Sequence, residues 1–209
     1  MRILQAVGKA QNLEMRIIII NAQWQECPKD FNEETPFSYI RALCRRHHNV
    51  SSYLFYMKNK IKKFNIRVYG IAINDHQEVL LTDEFRLGMQ MTKFPGGGLE
   101  LGEGTIDCLR RECMEELGEE IEIIRHFYTT DYFQATYLLK EPQQLISIYY
   151  LIKIKNANGI PVRKKRFDFE NIDGAQTFRW VKIPELGEEE LTFPIDKKVL
   201  EMLKSEFGF

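Results

Sequence analysis

No stretch of this 209-residue chain is long and apolar enough to span a bilayer. A short run, Ile17 to Ile20, lies between Arg16 and Asn21 and reads as a buried strand or as chance. The start lacks the long apolar core and the small-residue cleavage site of a signal peptide. Charge of one sign is also missing: the formal net charge is −1, so no global field draws in nucleic acid or anionic lipid. Only four cysteines occur, Cys27, Cys44, Cys108 and Cys113, and none forms a C-x-x-C pair. Cys108 and Cys113 stand five apart in a helical pattern and could not easily bridge, so reduced thiols and a cytoplasmic location fit best. Cys44 with His47 and His48 lacks the second ligand pair of a zinc site. There is no internal repeat and no low-complexity tract.

What is present is a soluble globular composition with local patterns. Basic residues crowd at Lys58, Lys60, Lys62, Lys63 and Arg67, and again at Arg163, Lys164, Lys165 and Arg166. Each run reads as a solvated face or as a surface that meets a phosphate-bearing substrate. Ile66 to Asn74 reads as a buried strand, Asn74-Asp75 as a turn, and Val79 to Thr82 as its hairpin partner. A glycine-rich passage spans Thr92 to Leu99, and Thr105 to Leu117 has helical spacing. Ile121 to Tyr132, Leu145 to Ile154 and Thr177 to Ile183 read as strands, with a charged loop over Asn156 to Gly174. Asp196 to Ser205 reads as a closing helix, with Val199, Leu200 and Leu203 on one face. This order predicts an α+β domain, a mixed sheet with helices packed against it. Residues 1–56 show only a partial apolar stripe, Phe37, Ile40, Leu43 and Cys44, after Thr35-Pro36. They are expected to be a dispensable extension or an over-called start, with the domain at 57–209. Truncation at Met57 should then leave stability and activity nearly unchanged.

Phe94-Pro95-Gly96-Gly97-Gly98 lets the backbone approach a ligand closely, or simply turn. In the helix after it, Thr105 reads as the N-cap and Ile106, Leu109, Cys113 and Leu117 make the apolar stripe. Glu112, Glu115, Glu116 and Glu119 fall at i, i+3, i+4 and i+7 on another face. Like charges at that spacing repel. A solvated acidic face would usually intersperse lysines, whereas a divalent cation removes the conflict, since Mg²⁺ and Mn²⁺ prefer clustered carboxylate oxygens.

Gly97, Glu103, Arg111-Glu112, Glu115-Glu116 and Gly118 stand at the separations of the Nudix signature, which this segment resembles. With roughly 7% usage per residue type, chance agreement at one site is on the order of 10⁻⁸. Cys113 fills an aliphatic position, and Glu119 replaces an expected apolar residue whose packing Ile121 can supply. The resemblance covers about Ile66 to Phe209. It implies an α/β/α sandwich with a mixed sheet and a metal-dependent hydrolase that cleaves a nucleoside diphosphate linked to another moiety. It implies Mg²⁺ or Mn²⁺ held by Glu112, Glu115, Glu116 and the Gly97 carbonyl, on a loop supported by Glu103, Gly96 and Gly98. Glu112, Arg111 and Glu116 are the expected catalytic set. Glu112 acts as base and Arg111 orients the carboxylates. Asp168, Glu170 and Asp173 are alternative bases on a later loop. Phe94, Tyr132 and Tyr137 are placed to stack on a base or to pack in the core. The expected partner is a nucleotide-diphosphate small molecule, with neither membrane nor nucleic acid, and a homodimer is left open.

Two other readings belong to domains of this kind, although regulators often carry an eroded signature and the one here is intact. A nucleotide-sensing regulator would carry a DNA-binding domain, but only 26 residues follow Ile183. An isopentenyl-diphosphate-type isomerase needs a cysteine ahead of the signature, and Ile66 to Gly96 has none.

Overall fold

The computed structural model describes residues 61–136, 139 and 141–208. The expectations for residues 1–56 and for Tyr137 lie outside them. The chain forms two compact units. Of the described residues the smaller takes in 61–64, 131–136, 139 and 141–145. Within it Ala135 bridges Gln144, and the Gln144 N–H donates to the Lys63 carbonyl at 3.0 Å. Asn65–Thr130 and Ile146–Phe209 make the larger unit, which carries the signature.

Among the described residues seven strands and two long helices follow in the order β1 (Phe64–Ala72), β2 (Glu78–Arg86), β3 (Met89–Lys93), β4 (Gly96–Gly98), α1 (Thr105–Leu117), β5 (Ile121–Thr129), β6 (Gln144–Ile154), β7 (Gln176–Lys182) and α2 (Pro194–Phe207). A four-stranded sheet has the order β4-β1-β6-β5 and a three-stranded sheet the order β3-β2-β7. The architecture is α+β with mixed pairing, Val162 adding a parallel bridge to Phe178.

The Asn74 turn forms as read: Asn74 Oδ1 accepts the N–H groups of His76 at 2.9 Å and Glu78 at 3.0 Å. The strand after the turn pairs differently from expectation. β2 and β1 lie in different sheets, and the Ile73–Val79 bridge joins β2 to the residue just after β1. It runs on to Arg86 and makes its hairpin with β3 instead. The reason is the Leu87-Gly88 turn, whose two positive φ angles, 54° and 75°, match the twist of a tight hairpin. The strand expected up to Tyr132 ends at Thr129, where the chain leaves the larger unit.

Helix α1 has the expected span, with two local corrections. Its N-cap is Gly104, and Thr105 instead bonds the Tyr150 hydroxyl at 2.8 Å. Ile106 is 38% exposed, while Cys108 joins Leu109, Cys113 and Leu117 in the core. These four pack with Val68, Ala72, Leu80, Ile121, Ile152, Ile154 and Phe178, so one helix face closes on strands of both sheets. Ile121 takes the packing role expected of it. Gly118 ends the helix at φ 69°, a left-handed conformation that glycine adopts without steric cost. On α2, Ile195, Val199, Leu200 and Leu203 are buried. Among the described residues no helix is long and apolar enough to cross a membrane.

Candidate active site

Strand β4 and helix α1 bring the glycines and the acids together. Gly96 sits at φ 130°, hydrogen-bonded across from β1, where an added Cβ would meet the Val68 carbonyl at 2.2 Å. The Gly96 N–H donates to Glu116 Oε2 at 3.0 Å. At Gly97 an added Cβ would lie 2.2 Å from the Glu112 carboxylate. The missing side chain at Gly97 is therefore the space that the Glu112 carboxylate occupies, while Glu116 is held by the Gly96 N–H.

Arg111 organises the opposite side. Its Nε and Nη2 donate to Glu103 at 3.0 and 2.7 Å, a two-pronged pairing. Nη1 donates to Glu112 at 3.0 Å and Glu115 at 3.2 Å, and Nη2 also donates to the Gly98 carbonyl at 3.0 Å. One guanidinium thus joins three carboxylates to the glycine loop. The Arg111 hydrogen bonds and the Glu100 N–H hold the Glu103 carboxyl down at about 2. Glu119 lies apart, accepting from Asn156 at 3.0 Å.

Lys93 carries no signal in the sequence, yet it belongs to this cluster. Its ammonium is buried and donates to the Gly96 carbonyl at 2.9 Å. It stands 3.4 Å from Glu116 and 3.7 Å from Glu84. Burial works against its charge, but Glu116 and Glu84 raise its pKa above the ordinary lysine value. Burial raises the Glu116 pKa, against the pull of Lys93 and the Gly96 N–H. Strand alternation could have found the pair: the Thr82–Lys93 register puts Glu84 and Lys93 on one face of the three-stranded sheet.

Several other expected residues are placed differently. Phe94 is fully buried, edge-on to Tyr149, so it offers no ring face to a base and serves packing. Tyr132 belongs to the smaller unit, with its hydroxyl 3.4 Å from Gln134 Oε1. Asp173 accepts the Leu87 N–H at 2.8 Å, fastening the later loop to the β2–β3 turn. Asp168 lies 4.0 Å from Arg163, and Glu170 is exposed. Of the basic run, Arg163, Lys164 and Lys165 are exposed. Arg166 turns inward to Thr92 Oγ1 at 3.1 Å and the Glu190 carbonyl at 2.7 Å. Cys108 and Cys113 are free thiols, both pushed up to about 12 by burial.

The donor chemistry suits a hard divalent cation. Carboxylates of Glu112, Glu115 and Glu116 lie along one helix face beside a backbone that glycine leaves open. Among the described residues no three acidic, His or Cys side chains already converge on one point. Arg111 stands between Glu112 and Glu115, and Lys93 stands beside Glu116.

A family model described as NUDIX domain matches residues 63–203. The chain belongs to the Nudix family. Among its Nudix relatives, the nucleoside triphosphatase NudI of Escherichia fergusonii is 31% identical over 99 residues, 46% of this chain and 64% of that protein. An RNA pyrophosphohydrolase of Helicobacter pylori is 31% identical over 85 residues, 37% of this chain and 53% of that protein. The chain thus spans between half and two thirds of the length of these two relatives. The crystal structure of a MutT NUDIX hydrolase from Burkholderia pseudomallei is similar at a TM-score of 0.50 and 18% identity. The match covers 67% of this chain and 98% of that one, and it supports the Nudix fold.

Proposed function

We propose that the domain hydrolyses a diphosphate linkage in a nucleoside diphosphate joined to another moiety, by attack of water at phosphorus. The observation that carries this reading is the clamp of Arg111 on Glu103, Glu112 and Glu115 against the glycine loop. It gathers a dense set of oxygen donors that would hold a divalent cation, without which a polyanionic substrate would be repelled.

Glu112, Glu115, Glu116 and the Gly97 carbonyl are the residues that would hold Mg²⁺ or Mn²⁺. When bound, such an ion neutralises phosphate charge and makes water a stronger nucleophile at neutral pH. Arg111 fixes the direction of the Glu112 and Glu115 carboxylates. Glu103 accepts the Glu100 N–H at 2.8 Å and so ties the loop to that guanidinium. Glu112 is the favoured proton acceptor, because it lies against Gly97 with one oxygen held by Arg111. Asp173 is a weaker candidate for that role, since its carboxylate is engaged in holding the hairpin turn.

The relatives' names direct the choice of substrates. Nucleoside triphosphates, 5′-triphosphate RNA and nucleoside diphosphates linked to sugars or nucleosides, each with Mg²⁺ and with Mn²⁺, form the test panel, read by phosphate release. Turnover of one class is expected. Glu112→Gln and Glu116→Gln should each lower kcat by about 10²-fold or more with the fold intact. Near-normal turnover in both variants would refute the site. Tight binding of one nucleotide without turnover would instead mark a sensing module.

A further inference from the structure

We propose that the buried ammonium of Lys93 is a resident counter-cation for Glu116, and that its balance with Glu84 sets how tightly a divalent ion is held at the carboxylate cluster. The proposal rests on the metal-dependent reading above and assigns a positioning role that the signature does not contain.

Three observations carry it. First, Lys93 is walled in: its side chain is 3% exposed, and its Nζ neighbours are the Gly96 carbonyl, Glu116 and Glu84. Second, the two acids are themselves largely buried, at 15% and 12% side-chain exposure, so solvent screens this triad poorly. Third, the ammonium is anchored. Its shortest contact is to backbone, the Gly96 carbonyl at 2.9 Å, on a strand paired with β1. The Arg67 guanidinium, which donates to the Tyr69 hydroxyl at 2.6 Å, also acts on Glu84, and it is unchanged in each variant.

The consequence is a simple charge count. Relative to the wild type, removing the ammonium adds one negative charge to what an arriving cation meets, and neutralising Glu84 removes one. An arriving divalent ion responds to both changes with opposite signs. A lysine that only packed would give no such opposition: damage at either residue would loosen the cluster and weaken binding in both variants.

The test is Mn²⁺ titration of the full chain without nucleotide, with free Mn²⁺ followed by electron paramagnetic resonance and folding checked by circular dichroism. Lys93→Met should tighten Mn²⁺ binding by about tenfold, and Glu84→Gln should weaken it by about tenfold. Lys93→Arg should stay close to the wild type. If Lys93→Met does not fold, Lys93→Gln, which removes the same charge, takes its place. Weakening in both charge variants, or no change in either, overturns the proposal while leaving the metal-dependent reading standing. A wild-type chain that binds no Mn²⁺ overturns both.

Discussion

The Glu112 carboxylate lies against the α-carbon of Gly97, so closely that a methyl group there would stand 2.2 Å from it. Gly96, one residue earlier, faces the Val68 backbone at the same distance and sits at φ 130°. The two glycines should therefore fail in different ways. Gly97→Ala pushes aside the far end of a flexible side chain, so folding should survive while kcat falls sharply. Gly96→Ala meets backbone in a conformation closed to alanine and should cost about 1–3 kcal/mol of stability. Denaturant midpoints and kcat measured side by side separate them. Equal stability loss in both variants would contradict the placement of Glu112.

Arg111 holds Glu103 through two nitrogens and two helix acids through a third. Lysine keeps the charge but cannot span these partners. Arg111→Lys should lower activity by about 10–100-fold. The depressed Glu103 pKa gives a second readout. The stabilisation that Glu103 contributes is present above its unfolded value and is lost as pH falls toward about 2. The Arg111→Lys variant should lose that stabilisation at a higher pH, as measured by acid unfolding.

Asp83 is fully buried and accepts from Arg179, from Thr92 Oγ1 at 2.7 Å and from the Phe167 N–H at 3.3 Å. Arg179 also reaches Glu190 at 3.2 Å. This cluster fastens the loop before β7 to the three-stranded sheet. Removing one partner leaves a buried charge uncompensated, so Asp83→Ala should destabilise by about 3–5 kcal/mol. Urea denaturation checks this; a shift under about 1 kcal/mol would show that the cluster is dispensable.

Asp196 on α2 is buried, with one oxygen accepting the Tyr149 hydroxyl at 2.6 Å and the other without a hydrogen-bond partner. Burial pushes its carboxyl up to about 7. The folded state keeps a proton that the unfolded chain releases at about pH 4. Stability should therefore be highest at low pH on this account, decline between about pH 4 and 7, and level off above. Asp196→Asn should remove this slope, improving relative to the wild type by a few kcal/mol from about pH 4.5 to pH 8. Parallel wild-type and variant curves would refute the assignment.

Local patterns are legible in the sequence and long-range pairings are not. Helix α1 is readable to its ends because its spacing, its apolar stripe and Gly118 are all written within a short continuous segment. The acids of the signature come with it. Cys108 and Ile106 depart from the simple stripe because a helix face against two sheets is wider, and turned differently, than one stripe shows. Phe94 reads as a loop aromatic, yet Tyr149, distant in sequence, completes its burial. Lys93, Glu84, Asp83 and Arg179 are ordinary charges in the sequence. Their partners depend on strand register, and Asp83 and Arg179 stand 96 positions apart in the chain.

That register has a further consequence. Asp83 and Thr92, directly opposite each other, point to one face of the three-stranded sheet, while Glu84 and Lys93, diagonal neighbours, point to the other. Deleting a single residue within β2 or β3 would send that strand's side chains to the opposite faces. A deletion in β2 would turn the buried anchor of the later loop toward the carboxylates, and one in β3 would turn the Lys93 ammonium toward Arg179. Homologous chains should therefore tolerate substitution along these strands far more readily than any change in their length, with insertions confined to the Leu87-Gly88 turn between them.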